Sequence, residues 1–365
     1  MNGIYIHIPF CISKCKYCDF SSFPDRLSMQ DDYIDILIKE MINYKGSHAD
    51  SVYIGGGTPS VLKSDNIKKL LFAVNDIFKL QENSEFTMEV NPATVDLRKA
   101  TIMKDYGVNR ISIGAQSFVD TELKRIGRIH NSNDIRVTFE VLRNAGIKNL
   151  SLDLMYALPN QTLESFAISV DEACKLAPEH ISCYGLKFEE GTPLYAELKS
   201  GTIEEQDEVA FAEMYDFLRK KLIKNGYQHY EISNFSLPGF ESRHNTKYWT
   251  NKDYIGFGVS AASKIGNRRY SHTSDFVNYI NSCELDEDYV MSKEEQMSEF
   301  VILGLRMLNK GADKEEFYQN FNLHMDDVFE DEIKKVSPYI INTKKSIKLK
   351  PESLLVSNAV MCEFV

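Results

Sequence analysis

Six short apolar runs, each followed by a segment of helical periodicity, occupy residues 3 to about 186 and limit the folds open to this chain. The runs are Ile4–Ile8, Ser51–Gly55, Phe86–Val90, Arg110–Ala115, Leu150–Tyr156 and His180–Leu186. Between the first two, Ile34, Leu37, Ile38, Met41 and Ile42 follow the i, i+3, i+4, i+7, i+8 rule of a half-buried helix. Ile67, Leu70, Leu71, Val74, Ile77 and Phe78 repeat the pattern, with Asp65 as the expected cap. Strands separated by helices predict a parallel sheet with right-handed crossovers. Six such units fall short of the eight that close a barrel, so the expected fold is α/β, an open partial (β/α)6 barrel.

A helix over Asp207–Lys224, with Phe211, Tyr215, Leu218 and Leu222 on one face, closes this part. Residues 1–226 are therefore expected to form the core domain. Residues 227–290, rich in aromatics, Gly, Ser and Asn, read as a connecting region of strands and long loops. Residues 291–365 predict a smaller α+β region. A helix from Ser292 carries Met297, Phe300, Val301, Leu303 and Leu305, and two shorter helices, a hairpin over Ile340–Lys350 and a final apolar segment follow it. That order suggests a winged-helix-like tail. The lysines of Lys344–Lys350 read as an edge hairpin, where charge discourages further strand pairing.

An apolar fraction of 43% supports a substantial core, and a net charge of −11 argues against a broad nucleic-acid-binding surface. The chain has no run of eighteen apolar residues and no basic-then-apolar leader. With the first strand starting at Gly3, the expectation is a cytoplasmic protein.

Three of the seven cysteines, Cys11, Cys15 and Cys18, lie within eight residues just after the first strand, spaced Cys-x3-Cys-x2-Cys. Three thiolates on one tight loop can hold three irons of a 4Fe–4S cube and leave the fourth iron open to a ligand. A zinc loop would call for a fourth Cys or His nearby, and a disulfide framework suits small secreted chains. Neither matches this context as well. Cys174, Cys183, Cys283 and Cys362 are scattered and read as buried or inert.

In open parallel sheets, ligands collect at the carboxyl ends of the strands. The chemistry-bearing residues fall there. Cys11–Cys18 follow the first strand and Gly55-Gly-Gly-Thr-Pro59 follows the second. Glu89 ends the third, Gln116 the fourth, and Asp153 lies in the fifth. Taken alone, a glycine run is a turn and Glu89 a strand-end carboxylate in an ion pair. Their convergence with the cysteine loop favours a site.

The cysteine loop and the Gly-Gly-Gly-Thr-Pro run together resemble the radical S-adenosylmethionine (SAM) superfamily. The runs Tyr-Ile-His-Ile-Pro-Phe-Cys, Gly-Gly-Gly-Thr-Pro-Ser, Glu-Val-Asn-Pro, Ser-Ile-Gly-Ala-Gln-Ser-Phe and Asp-Leu-Met-Tyr-Ala-Leu-Pro-Asn-Gln-Thr narrow the resemblance to its coproporphyrinogen-dehydrogenase-like group. The resemblance implies that the open iron binds the methionine part of SAM, and that one electron then cleaves SAM to a 5′-deoxyadenosyl radical. It also implies that Gly56, Gly57 and Thr58 approach the methionine group through their backbone. Glu89, Gln116, Arg128 and Asp153 would bind SAM polar groups, Tyr5 would pack beside the cofactor and Tyr17 against its adenine. An electron donor such as a flavodoxin or ferredoxin fits the same scheme.

The group contains an oxygen-independent coproporphyrinogen III dehydrogenase branch and a heme-chaperone branch. The dehydrogenase pattern carries a further cysteine two residues past the third, where this chain has Phe20, and a long segment before the first strand. Arg243-His-Asn-Thr-Lys-Tyr-Trp249 matches the His-Asn-x-x-Tyr-Trp motif of the chaperone branch. The resemblance thus implies a heme-binding protein that delivers heme to acceptors such as respiratory cytochromes, with His244 as a heme contact and peripheral membrane contact compatible with delivery. Oxidative decarboxylation of coproporphyrinogen III is the alternative, and a heme-independent radical enzyme a third. No residue is assigned a catalytic role.

Overall fold

The computed structural model describes residues 2–365. Among these residues, fifteen strands form two sheets. The first six are β1 (Asn2–Ile8), β2 (His48–Gly56), β3 (Lys79–Val90), β4 (Arg110–Gln116), β5 (Asn149–Tyr156) and β6 (His180–Gly185). They pair in sequence order, all parallel, as the alternation of apolar runs and helices predicts.

Residues beyond 227 supply six more strands to the same sheet. These are β7 (Gln228–Glu231), β8 (Asn234–Ser236), β9 (Tyr254–Phe257), β10 (Ala262–Ile265), β11 (Arg268–His272) and β12 (Leu285–Val290). The spatial order is β12-β11-β10-β9-β1-β2-β3-β4-β5-β6-β8-β7. β8 runs antiparallel to β6. At the opposite flank, β9 joins β1 as a further parallel strand.

Strand polarity alternates in a way that organises the interior. Ile111, Ile113, Leu152, Leu154, Ile181 and Cys183 are buried in the main core. Their neighbours Arg110, Ser112, Gly114, Asp153, Ser182 and Tyr184 line a cavity on the other face. Side chains of a strand point alternately to its two faces, so one face binds the helices and the other makes a polar lumen.

Helix Gln30–Met41 buries Tyr33, Ile34, Leu37 and Met41, whereas Ile42 falls in a following 3-10 turn and is exposed. Helix Ser64–Ile77 buries Ile67, Leu70, Leu71, Val74 and Ile77. Asp65 is not its cap. It lies in the first turn, while Lys63 occupies the cap position and gives its backbone N–H to Gln30 Oε1 at 2.7 Å. A neighbouring helix thus satisfies an end that the local sequence assigns to an aspartate. Cys362 is exposed, unlike the buried Cys183.

The C-terminal region begins with helix Lys293–Leu305, started by a reciprocal Ser292–Glu295 cap. Its sheet holds β13 (Ala312–Asp313), β14 (Ile340–Asn342) and β15 (Ser346–Leu349), in the order β13-β15-β14. The expected hairpin is present as β14 and β15; β14 forms the edge, while β15, which carries Lys348, is central. Strand β13, only two residues long, is what covers it.

This region is clipped to the barrel by Arg306. Its guanidinium lies 4.1 Å from the Trp249 ring centroid, and Nη2 is 3.4 Å from the buried Glu231 carboxylate. Arg306→Ala removes a cation–π contact and leaves the buried Glu231 with only its neutral donors, Ser233 and Asn234. The expected loss is about 1–3 kcal/mol of stability. Faster hydrogen exchange in helix Lys293–Leu305 should accompany it. Unchanged melting and exchange would show that the clip carries no load.

Candidate active site at the mouth of the barrel

The site rests on a backbone clasp between two loops. Gly57 N–H donates to Ile8 O (2.9 Å) and Thr58 N–H to Phe10 O (2.7 Å), tying the exit of β2 beneath the cysteine loop. Gly56 holds a φ of +109°, and a Cβ there would come within 2.5 Å of the His7 ring. A Cβ at Gly57 would stand 2.8–3.0 Å from the Ile8 and Phe10 backbone. In this structure the glycines therefore permit close approach to the cysteine loop.

Side chains complete a ring around the thiols. Thr58 Oγ1 lies 3.4 Å from Cys11 Sγ, and Asn91 Nδ2 donates to the same Thr58 oxygen at 2.7 Å. Asn91 Oδ1 accepts from Arg128 Nη2 (2.7 Å), while Arg128 Nη1 reaches Cys15 Sγ at 3.4 Å. Burial pushes the Cys11 thiol up and the Cys18 thiol up to about 11. Cationic iron would favour their thiolates, and loading would release protons.

The thiols open into a cavity of about 530 Å³. Cys11, Cys15, Tyr17, Cys18, Gly56, Gly57, Thr58, Glu89, Gln116, Arg128 and Asp153 all line it. Tyr53 OH donates to Glu89 Oε1 (2.6 Å) and Gly56 N–H to Oε2 (3.2 Å). Burial nevertheless pushes the Glu89 carboxyl up to about 7, with Asp153 adding to the effect. Ser112 Oγ donates to both oxygens of Asp153, at 2.9 and 3.0 Å, and burial raises that carboxyl too. Gln116 holds a φ of +67° where β4 ends, a left-handed conformation uncommon for a residue other than glycine.

Two expected residues are not brought to the cavity wall. Tyr5 stands behind it, its ring stacked on Tyr53 at 6.3 Å and its hydroxyl donating to His7 Nδ1 at 3.0 Å. His244 is fully buried, with Nδ1 3.0 Å from Ser51 Oγ and Nε2 2.8 Å from the Tyr248 hydroxyl. Burial lowers its pKa to about 3. Of that motif, Asn245 is the residue that lines the cavity. Sequence reasoning also passed over Asn91, Tyr53 and Arg110. Asn91 sits in the Glu-Val-Asn-Pro run, and Arg110 opens the polar alternation of β4.

Residues 5–173 match the Radical SAM superfamily model, and residues 291–340 match the HemN C-terminal domain. The heme chaperone HemW of Bacillus subtilis is 36% identical over 100% of this chain and 99% of that protein. HemW of Lactococcus lactis is 34% identical over 100% of this chain and 97% of its own length. This chain belongs to the HemW family of radical SAM proteins. The solved coproporphyrinogen III oxidase HemN of Escherichia coli shares the fold, with a TM-score of 0.86 at 23% identity over 99% of this chain and 89% of that one.

Membership of the superfamily implies a 4Fe–4S cluster and SAM, and the residues present fit both. The three thiols face one cavity and form no disulfide. No set of three His, Cys, Asp or Glu side chains among the described residues is gathered for a single metal ion. Hydrogen bonds to sulfur from Arg128 and from the Phe20 N–H suit cluster-ligating thiolates. When bound, the cluster and SAM supply one-electron chemistry. The chain supplies the thiol ring, the polar lumen and a carboxyl at Glu89 able to hold or release a proton near neutrality.

Two outcomes follow from this geometry. Gly57→Ala places a methyl against backbone that no rotamer can relieve, so anaerobically reconstituted protein should hold markedly less iron than wild type by iron assay. Equal loading would mean that the clasp is dispensable. For Glu89, the folded value stands above the ordinary 4.5. The folded chain therefore keeps a proton that the unfolded chain has released, and stability falls as pH rises from about 4.5 through about 7. Thermal melts of the apo protein should show this slope reduced in Glu89→Gln. Parallel profiles for the two proteins would rule it out.

Proposed function

We propose that this protein is a heme chaperone that binds heme beside a SAM-associated 4Fe–4S cluster and passes it to acceptor hemoproteins such as respiratory cytochromes. The observation that carries the reading is full-length similarity to heme chaperones from two bacteria, spanning barrel and tail alike. The surface around the cavity supports it. Phe20 is 63% exposed at the rim, and Ile12 and Ile129 stand 55% and 61% exposed on neighbouring loops. Exposed apolar side chains around a cavity suit the face of a macrocycle.

In this reading heme docks at the mouth, and His244 serves as a packing residue under the barrel. An imidazole with both nitrogens engaged and no exposed surface has no lone pair free for iron. A cytoplasmic location, reduction by a flavodoxin or ferredoxin, and peripheral membrane contact during delivery belong to the same proposal. No helix among the described residues is long and apolar enough to cross a membrane.

Heme titration followed by the Soret band is the test. Wild type should bind heme, Phe20→Ser should bind it several-fold more weakly, and His244→Ala should lose thermal stability with the Soret position unmoved. A shifted Soret band in His244→Ala would return that histidine to the iron. The second reading, a coproporphyrinogen III dehydrogenase, is favoured only by the shared HemN fold. Catalytic formation of protoporphyrinogen from coproporphyrinogen III, SAM and reductant under anaerobic conditions would establish it and displace the chaperone.

A further inference from the structure

The clasp at Gly57 and Thr58 secures the cysteine loop beside Cys11. Beyond it Ile12, Ser13 and Lys14 are exposed, and the chain is taken up again at Lys16. Lys16 N–H donates to Ile126 O (3.0 Å), and Lys16 O accepts from Leu194 N–H (2.9 Å). Ile126 follows helix Asp120–Arg125, and Leu194 lies in the first turn of helix Pro193–Lys199. The first N–H groups of a helix have no partner within it, so the Leu194 donor is free to serve the loop.

Side chains repeat this hold. Lys16 Nζ lies 2.8 Å from Glu197 Oε1, and Arg125 Nη2 lies 2.8 Å from Glu197 Oε2. Glu197 therefore joins the cysteine loop to the 125–128 turn, the same turn that sends Arg128 to Cys15 Sγ. Gly127 in that turn has a φ of +77°, and a Cβ there would stand 3.2 Å from Lys16 N and 3.1 Å from Lys16 Cγ. Tyr17, the next residue along, packs on a small apolar cluster that includes Ile126, Leu186 and Leu194 and is separate from the main core.

Magnitudes decide what the Glu197 bridge can do. The Lys16 and Glu197 side chains are 37% and 23% exposed, and ion pairs so placed add little to global stability. Their leverage is local. Cys15 directly precedes Lys16, and Cys18 N–H donates to Cys15 O at 3.2 Å, so both cysteines ride on the turn that Lys16 anchors. Cys11 is fixed by the other clasp. Three thiolates that share one cluster need a fixed mutual placement, which takes both holds together.

We propose that Glu197 is a positioning residue for the cluster. With Arg125 and the Leu194 N–H it fixes Lys16, and through Lys16 it sets Cys15 and Cys18 relative to Cys11. The inference rests on the three-thiol cluster site and is independent of heme delivery.

The test uses the full chain, reconstituted anaerobically with iron and sulfide. The readouts are the EPR spectrum of the reduced cluster and the rate at which iron is lost to a chelator. Glu197→Ala should displace the EPR signal and lose iron roughly threefold faster than wild type, with melting of the apo protein unchanged. Glu197→Gln, which keeps an acceptor for Lys16, should recover part of both. Lys16→Met cuts the same tie from the other side and decides should Glu197→Ala fold poorly. Combining Lys16→Met with Glu197→Ala should add no further loss, because the two act through one contact. A wild-type spectrum with wild-type iron retention in both single variants overturns the proposal, as does a double variant whose losses add. Wild type that assembles no 4Fe–4S cluster would sink the cluster reading and this inference with it.

Discussion

The clasp that ties Gly57 and Thr58 to the backbone of Ile8 and Phe10 is the contact on which the site depends. It sets the height of the cysteine loop above the sheet with hydrogen bonds that no side-chain rotation can loosen. From it the side-chain ring through Thr58, Asn91 and Arg128 reaches two of the three sulfurs. The polar lumen below begins where this ring ends.

That lumen sets a problem of buried charge. Glu89, Asp153 and Arg110 all face it, yet each carboxylate is satisfied by neutral donors rather than by the arginine. Hydroxyls and backbone N–H groups hold a carboxylate in place without fixing its charge, so Glu89 remains free to titrate near neutrality. A direct ion pair with Arg110 would have locked it in the ionised state. The arrangement keeps a titratable acid available to whatever occupies the cavity, with a buried cation close behind it.

The parallel core and most of the site were legible in the sequence because both are written locally. Two-residue alternation marks the strands, and Cys11, Cys15 and Cys18 carry their spacing on one loop. Glu89, Gln116 and Asp153 could be placed because strand ends in a parallel sheet converge at one rim. Asp65 was misread, and the central place of β15 within its hairpin's sheet went unseen, because their surroundings come from elsewhere in the chain: Gln30 occupies the helix end, and β13 covers the open side of β15. Tyr5 and His244 carry the right chemistry for a site but sit behind or beneath the cavity wall.

The sequence by itself determined the fold class, the order of β1 to β6 and a three-thiol loop beside a glycine-rich turn. Each follows from periodicity or spacing within a few residues. Only the tertiary structure decided that β7 and β8 extend one flank while β9 to β12 extend the other, that His244 is sealed between Ser51 and Tyr248, and that Arg110 is buried with its Nε and Nη1 unbonded. These depend on pairings between segments as far apart as Ser51 and His244. Local pattern records which face of an element is apolar. It does not record which distant element will cover that face, or which charge will be left without a partner.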